Sequence, residues 1–184
     1  MTPTHLPGRV AIPQQTRGTS LERFNTAPAA DVQHTLLTCL HSLRWSHRIT
    51  AHRPYPTLDA LLAASDEAAY DLTPADLAEA LAGETLPVLP EDAYSAAHMA
   101  LNAANAAYEA KFGHVFVICL DDLPPNESLD HALAGIRSRL ANDPEDERMV
   151  AWEELRHLAK GRLVNLLRGA GNCATSHNGA APGK

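Results

Sequence analysis

The chain has 184 residues, 45% of them hydrophobic, which is enough for one domain of ordinary size with a single buried core. Alanine and leucine supply most of the apolar mass and aromatic residues only 5% of the chain, which favours helices over sheets. The net charge of -7 argues against nucleic acid or an anionic membrane as a partner. The longest apolar run covers only residues 115–120, whereas a membrane span needs roughly 20 residues.

The chain opens on a segment without helical periodicity. Residues 1–18 contain three prolines, and we predict a disordered arm there. The first predicted helix covers about 31–41, with Asp31 as its N-cap. A second covers about 44–51 and ends before the Arg-Pro-Tyr-Pro sequence of residues 53–56.

Two further helices have stronger start signals. Thr57 is a good N-cap for a helix that follows it directly. Thr73 followed by Pro74 places an N-cap before a proline in the first helical position. That helix is predicted to end near Gly83, and a proline-rich stretch follows over 85–90.

The second half of the chain is predicted to be helical with one exception. Helices are expected over about 95–111, from a cap at Asn126 to about 140, and from Asp143 to about 168. The apolar run 115–120 has the composition of a strand but no apparent partner strand, so we expect an extended segment buried between helices. The predicted fold class is therefore all-α, a single compact bundle of about seven helices.

We place this helical domain at 19–168 and expect a disordered tail, rich in Gly, Ala and Asn, over 169–184. Cys39, Cys119 and Cys173 are too scattered for a disulfide framework or a zinc site and are interpreted as reduced thiols. The first residues lack the apolar stretch of a secretory signal. These features predict a cytoplasmic protein without a bound metal.

Several blocks of the sequence are shared with one enzyme family. The blocks are Phe-Asn at 24–25, Arg-Pro-Tyr at 53–55, Asn-Ala-Ala-Tyr-Glu-Ala-Lys-Phe-Gly at 105–113, Phe-Val-Ile-Cys at 116–119, and Arg-Leu-Ala-Asn-Asp-Pro at 139–144 with Glu147. Over about residues 20–168 the chain resembles the OHCU decarboxylases, which act on 2-oxo-4-hydroxy-4-carboxy-5-ureidoimidazoline.

The resemblance implies an all-helical enzyme without metal or organic cofactor, usually a homodimer, that acts late in urate breakdown. Such an enzyme removes CO2 from OHCU and protonates one face of the ring, which gives (S)-allantoin. The reaction needs a group that holds the carboxylate, stabilisation of the charge left on the ring, and an acid. In the family a histidine in an H-P-[DR]-[LI]-G motif serves as the acid or base, a Glu-Gln pair binds the ring, and an arginine clamps the anion.

This chain matches part of that set. The resemblance carries the arginine over to Arg139, and the segment that lines the family's pocket over to Phe116, Val117, Ile118 and Cys119. Asn105 lies in a matching block and is a candidate for binding the ureide. At the position of the histidine motif this chain has Glu84 followed by Thr-Leu-Pro, and the region of the Glu-Gln pair is shortened.

Two residues are candidates for the proton transfer. Glu84 takes the place of the histidine, and a carboxylate desolvated by apolar neighbours can be protonated near neutral pH. His98 lies in the shortened segment and offers an imidazole from a new position. A surface role for Glu84 beyond the helix end, and a structural role for His98 on an alanine-rich helix, are the alternative interpretations.

Three functions follow from this partial match. The first is an OHCU decarboxylase with a rebuilt acid/base group. The second is an enzyme of the same fold that acts on another small anionic heterocycle. The third is a module that binds a ureide or a partner without catalysis, since loss of catalytic groups with retention of the core is what a pseudoenzyme shows.

Overall fold

The computed structural model describes residues 19–87 and 95–172, and within these ranges the chain forms eight helices and no strand. The helices are α1 Ser20–Thr26, α2 Ala29–Leu37, α3 Leu43–Ala51, α4 Leu58–Tyr70, α5 Pro74–Ala82, α6 Ser95–Phe112, α7 Pro125–Arg139 and α8 Pro144–Asn172. The all-α prediction is confirmed. The predicted arm lies outside the described residues, as does the tail beyond Asn172, and α8 continues past the predicted end at 168.

Helix α1 was not predicted, although its start signal is present in the sequence. Thr19 and Glu22 form a capping box, in which the Thr19 hydroxyl accepts from the Glu22 amide and the Glu22 carboxylate accepts from the Thr19 amide. The Asn25 side chain then bonds both the carbonyl and the amide of Tyr55, at 2.8 and 2.9 Å. These bonds fasten α1 to the connection between α3 and α4.

The threonine caps are confirmed, but two of the other predicted caps are wrong. Thr57 accepts from the Ala60 amide at 3.1 Å, and Thr73 forms a capping box with its helix. Helices α2 and α7 begin earlier than predicted, after prolines, so that Asp31 and Asn126 lie inside the helices. Proline suits the start of a helix because its fixed φ matches the first turn and its missing N–H leaves no donor unpaired.

Two buried clusters make up the core, and the segment 115–120 passes between them. The first cluster is formed by residues of the five helices α1–α5 together with α8, and the second by residues of α6 and α7. Val117 belongs to the first cluster, whereas Phe116 and Ile118 belong to the second. Successive side chains of an extended chain point to opposite sides, so one segment contributes to both clusters. The prediction of an extended buried segment is confirmed.

Side chains from three helices replace the missing partner strand of this segment. The bonds are Phe116 N–H to Asn105 Oδ1 at 2.9 Å, Arg139 Nη1–H to the Val117 carbonyl at 2.7 Å, and Cys119 N–H to Glu154 Oε2 at 2.7 Å. Buried backbone groups need such partners, because an unpaired one costs about as much as a lost hydrogen bond. Asn105 and Arg139 therefore hold the fold together at the segment.

None of the helices in the described ranges combines the length and apolarity that crossing a bilayer requires.

Candidate functional site

Arg139 is a buried residue within a network of polar side chains. Its Nε and Nη2 donate to Glu147 Oε1 at 2.8 and 2.5 Å, and Glu147 is fully buried. Glu147 also accepts from Asn142 Nδ2 at 2.8 Å and from the Tyr108 hydroxyl. Burial and the bond to Glu147 raise the pKa of Tyr108 well above its usual range. The charge of Arg139 is thus compensated inside the protein.

Little of the Arg139 guanidinium is left for a ligand. Nη1 donates to the Val117 carbonyl and Nη2 also donates to the Tyr108 hydroxyl at 3.3 Å. With the two bonds to Glu147, all three guanidinium nitrogens of Arg139 donate to partners within the protein. The guanidinium also lies 4.7 Å from the centre of the Phe116 ring. The predicted role of Arg139 as the anion anchor stays a prediction, and its contacts are those of a structural residue.

A second, partly buried ion pair joins the end of α5 to α8. Glu84 lies two residues beyond α5, and its two carboxylate oxygens accept from Arg162 Nη1 and Nη2 at 2.7 and 2.8 Å. The Glu84 side chain is only 6% exposed, whereas that of Arg162 is 37% exposed. The hydrogen bonds that Arg162 donates to Glu84 raise the pKa of Arg162 above its usual value. Arg162 was not identified from the sequence.

The guanidinium of Arg162 has two N–H donors left for a ligand, both on the edge formed by Nε and Nη2. Its Nη1 also donates to the Cys39 carbonyl at 3.1 Å, which with Glu84 accounts for three of the five donors. Within the described part of the chain, Nε and the second Nη2 hydrogen have no partner. These two donors lie on the same side of the planar group. A ligand carboxylate can accept both in the bidentate geometry that arginine favours.

Two separate cavities share Glu84 as a lining residue. A cavity of about 70 Å³, which we call the Arg162 cavity, is lined by Glu84 and Arg162 together with Val117 and Ile118. A larger cleft of about 490 Å³, the α5–α6 cleft, lies between the end of α5 and residues 112–115 and is also lined by Glu84. The first has room for a carboxylate-sized group, and the second lies in the size range of ligand sites.

Three of the residues proposed from the sequence therefore lie at this place. Glu84, Val117 and Ile118 line the Arg162 cavity. His98 lies on α6 and lines neither of the two cavities. The roles predicted for these residues and for Asn105 stay predictions.

The Glu84 carboxylate is engaged in a way that disfavours its predicted role as the acid. Both oxygens accept hydrogen bonds from Arg162, and protonating the carboxylate would remove the charge on which this ion pair depends.

Two other kinds of chemistry find little support in the described residues. Burial raises the pKa of the Cys119 thiol, which disfavours the thiolate that a nucleophile requires. Among residues 19–87 and 95–172, no group of three or more His, Cys, Asp or Glu side chains is arranged to hold a metal ion.

Replacing Gly83 with alanine is expected to lower the free energy of unfolding by about 1–3 kcal/mol, the usual cost of overpacking. The added Cβ would lie 2.4 Å from Cβ and 2.6 Å from Cγ of His41, and that Cβ moves only with the backbone of the loop after α2. That loop also carries the Cys39 carbonyl that accepts from Arg162. Urea denaturation measures the change.

Gly169→Ala is the matched control, because a Cβ there meets nothing within 4 Å. It is expected to leave the urea midpoint unchanged or slightly higher, since alanine favours a helix over glycine. Equal midpoints for the two variants would show that His41 does not confine Gly83.

Comparison with known proteins gives consistent matches to one family. The family described as OHCU decarboxylase matches residues 25–90 and 89–164. A 2-oxo-4-hydroxy-4-carboxy-5-ureidoimidazoline decarboxylase from Amia calva is 34% identical over 86 residues, which cover 47% of this chain and 43% of that protein. The alignment thus spans less than half the length of this relative.

Two crystal structures have a similar fold. An (S)-allantoin synthase matches with a TM-score of 0.61 and 21% identity, over 79% of this chain and 53% of that one. An OHCU decarboxylase determined in the presence of (S)-allantoin also matches with a TM-score of 0.61, at 20% identity, over 72% of this chain and 96% of that one. At these identities the likeness establishes the fold of the chain.

Proposed function

We infer the function from the fact that this chain belongs to the OHCU decarboxylase family, and we propose that it converts OHCU to (S)-allantoin. The observation that carries the proposal is that Arg162, which has two N–H donors without a partner in the described ranges, lines a cavity together with Val117 and Ile118. The family resemblance implies neither a metal nor an organic cofactor, and the proposal includes none.

Arg162 is the proposed anchor for the substrate carboxylate. Its Nε and Nη2 donate to the two carboxylate oxygens, while Glu84 and the Cys39 carbonyl fix the plane of the guanidinium from the other side. When the bond to the carboxylate breaks, CO2 leaves and the electron pair stays with the ring. A proton then adds to one face of the ring, since the walls of the site fix the orientation of the substrate.

Glu84→Gln is expected to strengthen the binding of a ureido carboxylate such as allantoate by roughly tenfold, or about 1.4 kcal/mol. The substitution removes a negative charge from the ion pair with Arg162, so the site gains net positive charge. Glutamine keeps one of the two acceptor oxygens and replaces the other with an NH2 donor. Turnover of OHCU is expected to persist. Isothermal titration calorimetry gives the affinity, and the circular dichroism of allantoin gives the turnover.

Glu145→Gln is the control for a general charge effect, since Glu145 pairs with Arg148 at the surface. If Glu84→Gln binds allantoate normally and loses all turnover, Glu84 is the proton donor after all. If its affinity for allantoate falls, Glu84 contacts the ligand directly and Arg162 is not the anchor.

The proposed activity is tested by generating OHCU in situ from urate and following the circular dichroism of allantoin. With the protein present, (S)-allantoin is expected to form faster than by spontaneous decay, at a rate proportional to protein concentration. A chain that binds allantoin without changing this rate would be a ureide-binding module. A chain that neither binds nor accelerates would act on another small anionic heterocycle or none.

We also propose that the protein is a cytoplasmic homodimer, as the family resemblance and the reduced cysteines suggest. Size-exclusion chromatography with light scattering is expected to give about twice the chain mass of 19.8 kDa. A mass of one chain at micromolar concentration would contradict the dimer.

A further inference from the structure

The α5–α6 cleft contains an imidazole that the sequence motifs did not single out. His114 lies just after α6 and lines the cleft together with Glu84 and Glu109. The other lining residues are mostly apolar and include Leu81, Phe112 and Val115. An apolar cleft with a few converging polar groups is the usual form of a small-molecule site.

The backbone before His114 sets its position. Gly113 has φ of +79°, the left-handed conformation that ends many helices and that glycine adopts without strain. Its amide donates to the Glu109 carbonyl at 2.8 Å, which closes the last turn. The chain therefore leaves α6 in a fixed direction, and the next residue is His114.

The hydrogen bond of His114 defines which nitrogen is available. Nδ1 lies 2.9 Å from the Val115 carbonyl oxygen. Since a carbonyl oxygen only accepts, Nδ1 carries the proton of this bond. Nε2 has no partner in the described ranges, so it is the nitrogen that can gain and lose a proton.

Aromatic neighbours hold the ring in place. The Tyr108 ring meets the imidazole edge to face, with centroids 5.4 Å apart and an interplanar angle of 77°. The Phe112 ring lies 6.4 Å away. A proton-transferring side chain benefits from such support, because reaction requires a defined distance and direction to the substrate.

The charged and titratable groups around His114 come from two helices. Glu84 lines the cleft from the end of α5, and its charge is paired with Arg162. Glu109 of α6 is exposed and accepts from Asn105 Nδ2 at 2.9 Å. Tyr108 donates its hydroxyl proton to the Glu147 network and presents only its ring to His114. The two carboxylates that line the cleft with His114 thus both accept hydrogen bonds from other residues, whereas its own Nε2 has no partner in the described ranges.

We propose that His114 is the residue that protonates the ring of the substrate, with the ring in the α5–α6 cleft and the carboxylate extending past Glu84 to Arg162. This proposal rests on the proposed function. As CO2 leaves, the electron pair retained by the ring takes the proton from Nε2 of the imidazolium. The resulting neutral imidazole keeps its other proton on Nδ1, held by the Val115 carbonyl, and Nε2 takes a new proton from water.

His114→Gln tests the assignment. Its kcat for OHCU is expected to fall by about 100-fold or more, the usual contribution of a positioned acid, while KM stays within a few-fold of the wild-type value. The alkaline decline of kcat that reports loss of the imidazolium proton should disappear. Free imidazole added to His114→Ala should restore part of the rate, a result that a purely structural role would not produce.

His131→Gln is the matched control, because His131 is exposed on α7 and lines neither cavity. Urea denaturation verifies that each variant is folded, and affinity for allantoate verifies that the site is intact. A wild-type kcat and pH profile in His114→Gln would overturn the proposal while leaving the decarboxylase function standing, as would loss of activity in His98→Gln alone. An inactive wild-type protein would overturn both.

Discussion

Arg162→Ala is expected to lower kcat/KM for OHCU by roughly 30-fold to several thousand-fold, corresponding to the 2–5 kcal/mol that removing one partner of a hydrogen-bonded charge pair typically costs. The variant loses both donors of the available edge, Nε and Nη2, while the hydrophobic clusters keep their side chains. Allantoate affinity should fall in parallel, because the carboxylate loses its partner. Steady-state kinetics and calorimetry measure the two effects.

Two controls make this result specific to the ligand. Arg168→Ala removes an exposed arginine from the same helix, outside both cavities, and should leave the kinetics unchanged. The double variant Arg162→Ala/Glu84→Gln avoids leaving the Glu84 carboxylate buried without a partner. If the double variant binds allantoate as tightly as the wild type, Arg162 is not the anchor.

Arg139→Ala is expected to destabilise the protein by about 3–5 kcal/mol, the usual cost of removing one partner of a buried ion pair. Glu147 would remain fully buried with its charge uncompensated, and the Val117 carbonyl would lose its partner. The expected result is a large fall in the urea midpoint, with activity lost only in proportion to unfolded protein.

A double variant that removes both charges of this pair separates an effect on stability from an effect on ligand binding. Arg139→Met with Glu147→Leu removes both charges together and should recover much of the stability, because apolar side chains often replace a buried pair at little cost. Tyr108 would lose its acceptor in this variant, so the recovery is expected to be incomplete. A folded Arg139→Ala protein that has lost only ligand affinity would instead support Arg139 as the anion anchor.

Local signals predicted the elements of this fold well. Thr57 and Thr73 cap helices where predicted, because a threonine cap acts on an amide only three residues away. Helix α1 was missed although its Thr19 and Glu22 form a capping box, which is also a local signal. The extended segment could be predicted because the apolar run 115–120 has the composition of a strand and the sequence offers no partner strand.

The candidate site depends on contacts that no local pattern reveals. Glu84 and Arg162 are 78 positions apart and meet only because α5 and α8 pack in the same cluster. Arg139 was taken from a sequence block, but its burial depends on Tyr108 and Val117, which lie far from it in the chain. His114 could be identified as a candidate acid only from the cleft that it lines and from the hydrogen bond of its Nδ1.

The enantiomeric composition of allantoin tests the central claim most directly. OHCU is generated from urate in the presence of increasing amounts of the protein, and the product is resolved by circular dichroism before it racemises. A site that orients the ring through Arg162 and protonates one face predicts an excess of (S)-allantoin that rises with protein concentration. Racemic allantoin at every protein concentration would contradict the claim that this chain is an OHCU decarboxylase.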